Sequence, residues 1–142
     1  MAKNIFSVIG GIITVIVMVT IVQNVGATIY PPPADFNPNS VETLEAHLRT
    51  LSLGAFLFAV AGMALGSFMG GLVASWIAPE NGYRNAIIVA AFYVVFGVIG
   101  MLMISHPIQY WVANFITYLP CALLGHITLQ RAVNKKNQEL NF

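Results

Sequence analysis

The stretch at residues 52–77, SLGAFLFAVAGMALGSFMGGLVASWI, decides the fold: it carries no formal charge, and small side chains recur along it at every fourth position. A helix rising about 1.5 Å per residue over that length crosses the roughly 30 Å hydrocarbon core of a bilayer. Gly62, Gly66, Gly70 and Ala74 form one row, and Ser67, Gly71 and Ser75 form a second beside it. Lipid offers no hydrophobic force between helices, so close backbone approach at small residues is what holds them together. The rows predict a central or interfacial helix with Gly62, Gly66, Gly70, Gly71 and Ala74 at its contacts, within its own bundle or against another subunit.

Three more uncharged apolar segments accompany it. The spans read as about 5–29, 51–77, 86–104 and 108–129, each long enough to cross. The first could pass for a signal peptide, but its apolar run before Gln23 is about 18 residues, against about 7–15 for a signal core, which predicts a retained span. The whole sequence is 58% hydrophobic and 8% charged, where soluble domains carry about a quarter charged residues. The predicted fold class is an all-α integral membrane protein: a single four-transmembrane-helix bundle over residues 1–142.

Several function classes are disfavoured at once. No Asp, Glu, Lys or Arg lies inside any span, and such residues are the usual marks of ion or proton coupling. A net charge of +1 supplies no basic field for nucleic acid. The single cysteine, Cys121, permits no paired-thiol chemistry. No Gly-rich phosphate loop follows a strand, and no serine is grouped with histidine and carboxylate. The reading is non-enzymatic, without cofactor or metal.

The connector IYPPPADFNPNS, residues 29–40, ends the first span. Proline lacks a backbone N–H and disfavours helix in the residue before it, so the helix stops at or before Tyr30. Pro31, Pro32 and Pro33 favour a stiff polyproline spacer. Asn39 and Glu42 fit a capping box, followed by Val41, Leu44, Leu48 and Leu51 at helical spacing. The stretch 40–50 therefore reads as a short external amphipathic helix between spans 1 and 2, serving as a plain connector or as a lid. Residues 130–142 read as a tail.

Basic residues set the orientation. Lys3, Arg84, Arg131, Lys135 and Lys136 fall on the side of both termini, and Arg49 alone falls on the other. The positive-inside bias places both termini in the cytoplasm and the proline loop outside.

Within the fourth span Tyr110, Asn114, Thr117, Cys121, Gly125 and Thr128 share a face, while Trp111, Phe115 and Leu119 suit lipid or a subunit. Pro120 should bend this helix, and His126 should reach the headgroups at its cytoplasmic end. Thr20, Asn24 and Thr28 share a face of the first span. Counting inward, Asn24 and Asn114 both lie about 10 Å below the external boundary, so their amides can meet if the first and fourth spans are neighbours. This gives a candidate outward-facing polar pocket of Asn24, His106, Tyr110 and Asn114, with Gln23, Tyr30 and His47 at its rim. The competing reading is simple hydrogen bonding between helices. His47 and His106 lack paired-ligand spacing on one helix, which argues against a metal.

Three stretches, IYPPPADFNP, LGSFMGGLVA and ISHPIQYWVANF, resemble an uncharacterised family of small four-span bacterial inner-membrane proteins, with a Tyr-Pro-Pro-Pro run after the first span and a His-Pro turn before the fourth. The resemblance covers nearly the whole chain. It implies a shared pattern at Tyr30, Pro31, Pro32, Pro33, Gly66, Gly70, Gly71, His106, Pro107 and Trp111, without an assigned activity. It also implies glutamate and histidine at the positions held here by Gln23 and Ala27, an ionisable pair that this chain lacks.

The functional expectation is a protein acting through helix association, as a homo-oligomer or an accessory subunit of a membrane complex. The alternative is a binder or transporter of an uncharged or amphiphilic small molecule, a lipid or quinone, through the polar pocket.

Overall fold

A computed structural model describes residues 1–140 of the chain. Among these described residues, four helices are long and apolar enough to cross a membrane: α1 (Ala2–Ile29), α3 (Leu53–Ile77), α4 (Gly82–Met103) and α5 (Ile108–Glu139). The short helix α2 (Val41–Thr50) lies between the first two. The all-α four-span architecture is the one expected from the sequence. Both described chain ends and the turn before α4 share one face of the bundle, the terminal face. The proline loop, α2 and the turn before α5 occupy the opposite loop face.

The central helix is α3, which packs extensively on α1 and on α5 while α4 closes the bundle against α3 and α5. Its small residues explain this. A side chain at Gly66 would run into Val19 and Val15 of α1 and one at Gly70 into Val15, and Gly11 and Gly70 meet so closely that a Cβ on either would lie 2.9 Å from the other's carbonyl oxygen. On another side of α3, Gly71 rests on the backbone of Ala122, and Gly125 rests on the Phe68 carbonyl. The glycine rows are thus used within the protomer, on two sides of one helix.

The tightest packing lies toward the terminal face. Val15, Ala74 and Val89 are fully or almost fully buried, with Val8, Ile12, Val19 and Tyr93 around them. Tyr93 donates its hydroxyl to the Ile12 carbonyl at 2.8 Å, tying α4 to α1. Outward positions such as Ile9, Ile13, Ile16, Phe92, Val95 and Phe96 are exposed apolar surface, which suits contact with lipid tails.

Three boundaries differ from the sequence reading, each for a local reason. A 3-10 turn at Pro79–Asn81 feeds directly into α4, which starts at Gly82 and carries Asn85 into the bundle; proline is tolerated there because the first turn has no partner for its missing N–H. The cap of α2 is Ser40, whose Oγ accepts from Thr43 N at 3.4 Å, while Asn37 Oδ1 accepts from Asn39 N at 3.0 Å. A second cap, Ser52 Oγ accepting from Ala55 N at 3.2 Å, starts α3 afresh, so α2 is a separate piece. Finally, α5 continues through Pro120 and along the expected tail to Glu139, leaving 141–142 outside the described residues. The extension is exposed, and its Lys135–Glu139 pair at 3.9 Å adds little to stability.

Candidate binding cleft

The loop half of the bundle is looser, and between α4 and α5 the opening lies beside Gly100. A Cβ on Gly97 would collide with the Asn114 amide, whereas one on Gly100 would meet nothing within 4 Å. Helices α4 and α5 therefore touch at Gly97 and part beyond it. A cavity of about 280 Å³ occupies the gap, lined by Met63, Met101, Asn114 and Tyr118 and bordered by His106 and Tyr110. A second hollow of about 410 Å³ lies beneath α2, walled by Leu44, Leu48 and Leu51 above and by Phe58, Met63, His106 and Tyr110 below. Met63, His106 and Tyr110 border both, so the two form one cleft. Its size falls within the roughly 300–1,000 Å³ typical of small-molecule sites.

Helix α2 is held over this cleft by its side chains. Its leucines face inward, Glu45 Oε1 accepts from the backbone N–H of Ser105 at 2.8 Å, and Phe36 packs on His47 at a ring separation of 5.0 Å. Thr43 Oγ1 donates to the Asn37 carbonyl at 2.7 Å, bracing the entering loop. At the end of α1, Tyr30 packs on Phe58 at 5.9 Å. Tyr110 is wedged between Phe56, at 5.0 Å, and His106, at 5.5 Å. Asn114, 2% exposed, donates to the Val94 carbonyl at 3.4 Å.

Of the residues singled out from sequence, His106, Tyr110 and Asn114 come together, and Gln23, Tyr30 and His47 border the hollow under α2. Asn24 does not join them. Helix α3 stands between α1 and α5, so equal depth does not make the two amides neighbours. Asn24 instead donates to the Thr20 carbonyl of its own helix at 2.8 Å and is exposed. Thr28 likewise bonds back to Val25 O at 2.7 Å, and the stripe Thr20, Asn24, Thr28 points away from the bundle. On α5 the buried face is rotated slightly from the expected one: Tyr110, Asn114, Thr117 and Gly125 are buried, Cys121 is half-buried and Thr128 is exposed.

His126 also departs from expectation. It is 4% exposed, with Nδ1 2.9 Å from Ser75 Oγ, so it turns inward and does not reach the headgroups. Nearby, Ser7 Oγ donates to the Ala74 carbonyl at 2.5 Å and accepts from Asn85 Nδ2 at 3.0 Å. Asn4 Oδ1 accepts from Asn81 at 3.3 Å and Asn85 at 3.4 Å. Sequence reasoning missed this network because Ser75 was read as a small residue in a packing row and Asn85 as part of a loop. Its bonds all run between the protein's own groups except at Asn85 Oδ1, which is buried with no partner among the described residues. It is a structural clasp.

The cleft combines apolar walls with a few polar groups at one end, and this suits retention of an amphiphile by shape and one or two hydrogen bonds. His47 and His106 both border the hollow, and no third metal-ligating residue joins them among the described residues. No family model matches the chain, and no curated protein or solved structure matches it.

Proposed function

We propose that this four-span protein holds an uncharged or amphiphilic small molecule, a lipid or quinone, in the cleft under α2. The carrying observation is a cavity beside buried Asn114 and Tyr110, where α4 and α5 part beyond their contact at Gly97 and Gly100 faces open space. Gly100→Leu provides the test. Its side chain enters empty space, and replacing a helical glycine removes a cost of about 0.5–1 kcal/mol. Native mass spectrometry of the wild type is expected to show a retained ligand at fixed stoichiometry. In Gly100→Leu that ligand should be lost, with thermal stability equal to or above wild type. A wild type without ligand, or a variant that keeps it, removes this reading.

A specific observation favours association as the second reading. The outward stripe of Thr20, Asn24 and Thr28 on α1 presents an amide to lipid, and a partner helix that bonds it would gain about 0.6 kcal/mol per contact. The glycine rows lend no support to it, since α1 and α5 already cover them. A homo-oligomeric or larger mass without ligand in the same measurement would favour this reading.

The resemblance noted above supports a bacterial inner membrane as the location. The five basic residues on the terminal face against Arg49 on the loop face support cytoplasmic termini, with the cleft opening outward. A cysteine at Asn37 should then react with an impermeant thiol reagent in intact cells while one at Asn137 stays unlabelled. The reverse pattern inverts the orientation.

A further inference from the structure

The polar end of the cleft is defined by the atoms left over once the protein's own hydrogen bonds are made. His106 Nδ1 lies 2.6 Å from the Ile104 carbonyl oxygen, and a carbonyl oxygen can only accept. The proton therefore sits on Nδ1, and in the neutral ring Nε2 is a bare acceptor. No donor among the described residues bonds Nε2, and the ring borders both parts of the cleft. Its orientation is fixed by the Ile104 bond and by edge-on packing against Tyr110 at 5.5 Å.

The Tyr110 hydroxyl, likewise without a partner among the described residues, can donate or accept. Asn114 lies deeper and offers both kinds of group, so it does not discriminate. A ligand head with acceptors alone, such as a quinone carbonyl or an ester, would be served by Tyr110 but would set a lone pair against His106 Nε2. A hydroxyl head serves both, donating to Nε2 and accepting from Tyr110. Met63 and Met101 leave the rest of the ligand an apolar path between α4 and α5.

We propose that the cleft selects amphiphiles whose head donates a hydroxyl to His106 Nε2: a quinol over its quinone, or a hydroxyl-bearing glyceride over its fully esterified form. This rests on the cleft-binding function proposed above. The test measures dissociation constants for the purified full-length protein in detergent. One set of probes is a decyl-substituted benzoquinol kept reduced, its quinone and its dimethyl ether; the other is a diacylglycerol and the matching triacylglycerol.

The quinol should bind about tenfold tighter than its quinone and its ether, the worth of one hydrogen bond and one avoided repulsion. His106→Phe, which keeps a ring against Tyr110, should lose that advantage: quinol affinity falls with the lost hydrogen bond, and quinone affinity rises slightly as the repulsion from Nε2 goes. The same advantage and the same dependence on His106 seen only for the diacylglycerol would support the inference with a lipid as the source. Equal affinities across each set would overturn hydroxyl selection and leave cleft binding standing, and binding of no probe would remove both. Selectivity surviving in His106→Phe would also overturn the role of Nε2. Should that variant not fold, the wild-type comparison of quinol with dimethyl ether decides the question alone.

Discussion

Gly125→Ala is expected to cost about 3 kcal/mol or more, the upper end of what overpacking a close-packed site costs. The added methyl would have to occupy the position of the Phe68 carbonyl and crowd the Leu72 amide across the α3–α5 crossing. Both obstacles are backbone atoms of an intact helix, so no side-chain rotation relieves the clash and the two helices must separate. Gly71→Ala meets the backbone of Ala122 at the same crossing and should behave alike. Gly100→Ala is the internal control: it adds the same methyl to a helix with open space around it and should raise stability by about 0.5–1 kcal/mol. Unfolding in detergent, followed by circular dichroism, reads all three. If Gly125→Ala and Gly100→Ala unfold together, the α3–α5 crossing is wider than described.

The second large effect lies at the terminal face. Asn85 is fully buried; it donates to Ser7 and Asn4 and leaves Oδ1 unpaired. Asn85→Asp exchanges the donating amide nitrogen for an oxygen and puts a carboxylate where an acceptor already lacks a donor. A charge in such a place costs about 3 kcal/mol, and the donors to Ser7 and Asn4 are lost with it. Asn85→Leu also gives up those two bonds, but it removes the unpaired acceptor and adds apolar contacts, so it should cost less than half as much. The expected order of stability at neutral pH is wild type, then Asn85→Leu, then Asn85→Asp well below. An Asp variant as stable as the Leu variant would mean that water reaches position 85.

Most of the secondary structure was legible because a bilayer imposes a simple rule: a helix that crosses it must be long, apolar and internally hydrogen-bonded. The glycine rows in 52–77 likewise announced a close contact, and Pro31, Pro32 and Pro33 announced the end of the first helix. Boundaries were less legible where a polar residue could belong to loop or helix. Asn85 and residues 130–139 were assigned by their polarity, yet each continues a helix, because a polar side chain can be buried when bonded or can extend beyond the membrane.

The candidate site was legible in part. His106, Tyr110 and Asn114 lie on one helix and its entering turn, so their proximity follows from helical spacing alone. Asn24 failed because depth is one coordinate and helix order around the bundle is another. The void beside Gly100 had no sequence signal at all. Gly66, Gly70, Gly97 and Gly100 are the same residue with the same propensity, and only the neighbouring helix determines whether a missing Cβ permits contact or leaves a gap.

By itself the sequence determined the number of crossing helices, their rough limits, the stiff break after the first and the pairing potential of the second, since these depend on hydropathy, length and backbone chemistry along one strand of chain. The tertiary structure decided which helix lies between which: it put α3 at the centre, spent both glycine rows inside the protomer, turned Asn24 outward and His126 inward, and opened the cleft under α2. Those outcomes depend on the order and angle of helices about one another, and the van der Waals contacts that set them join residues far apart in the chain.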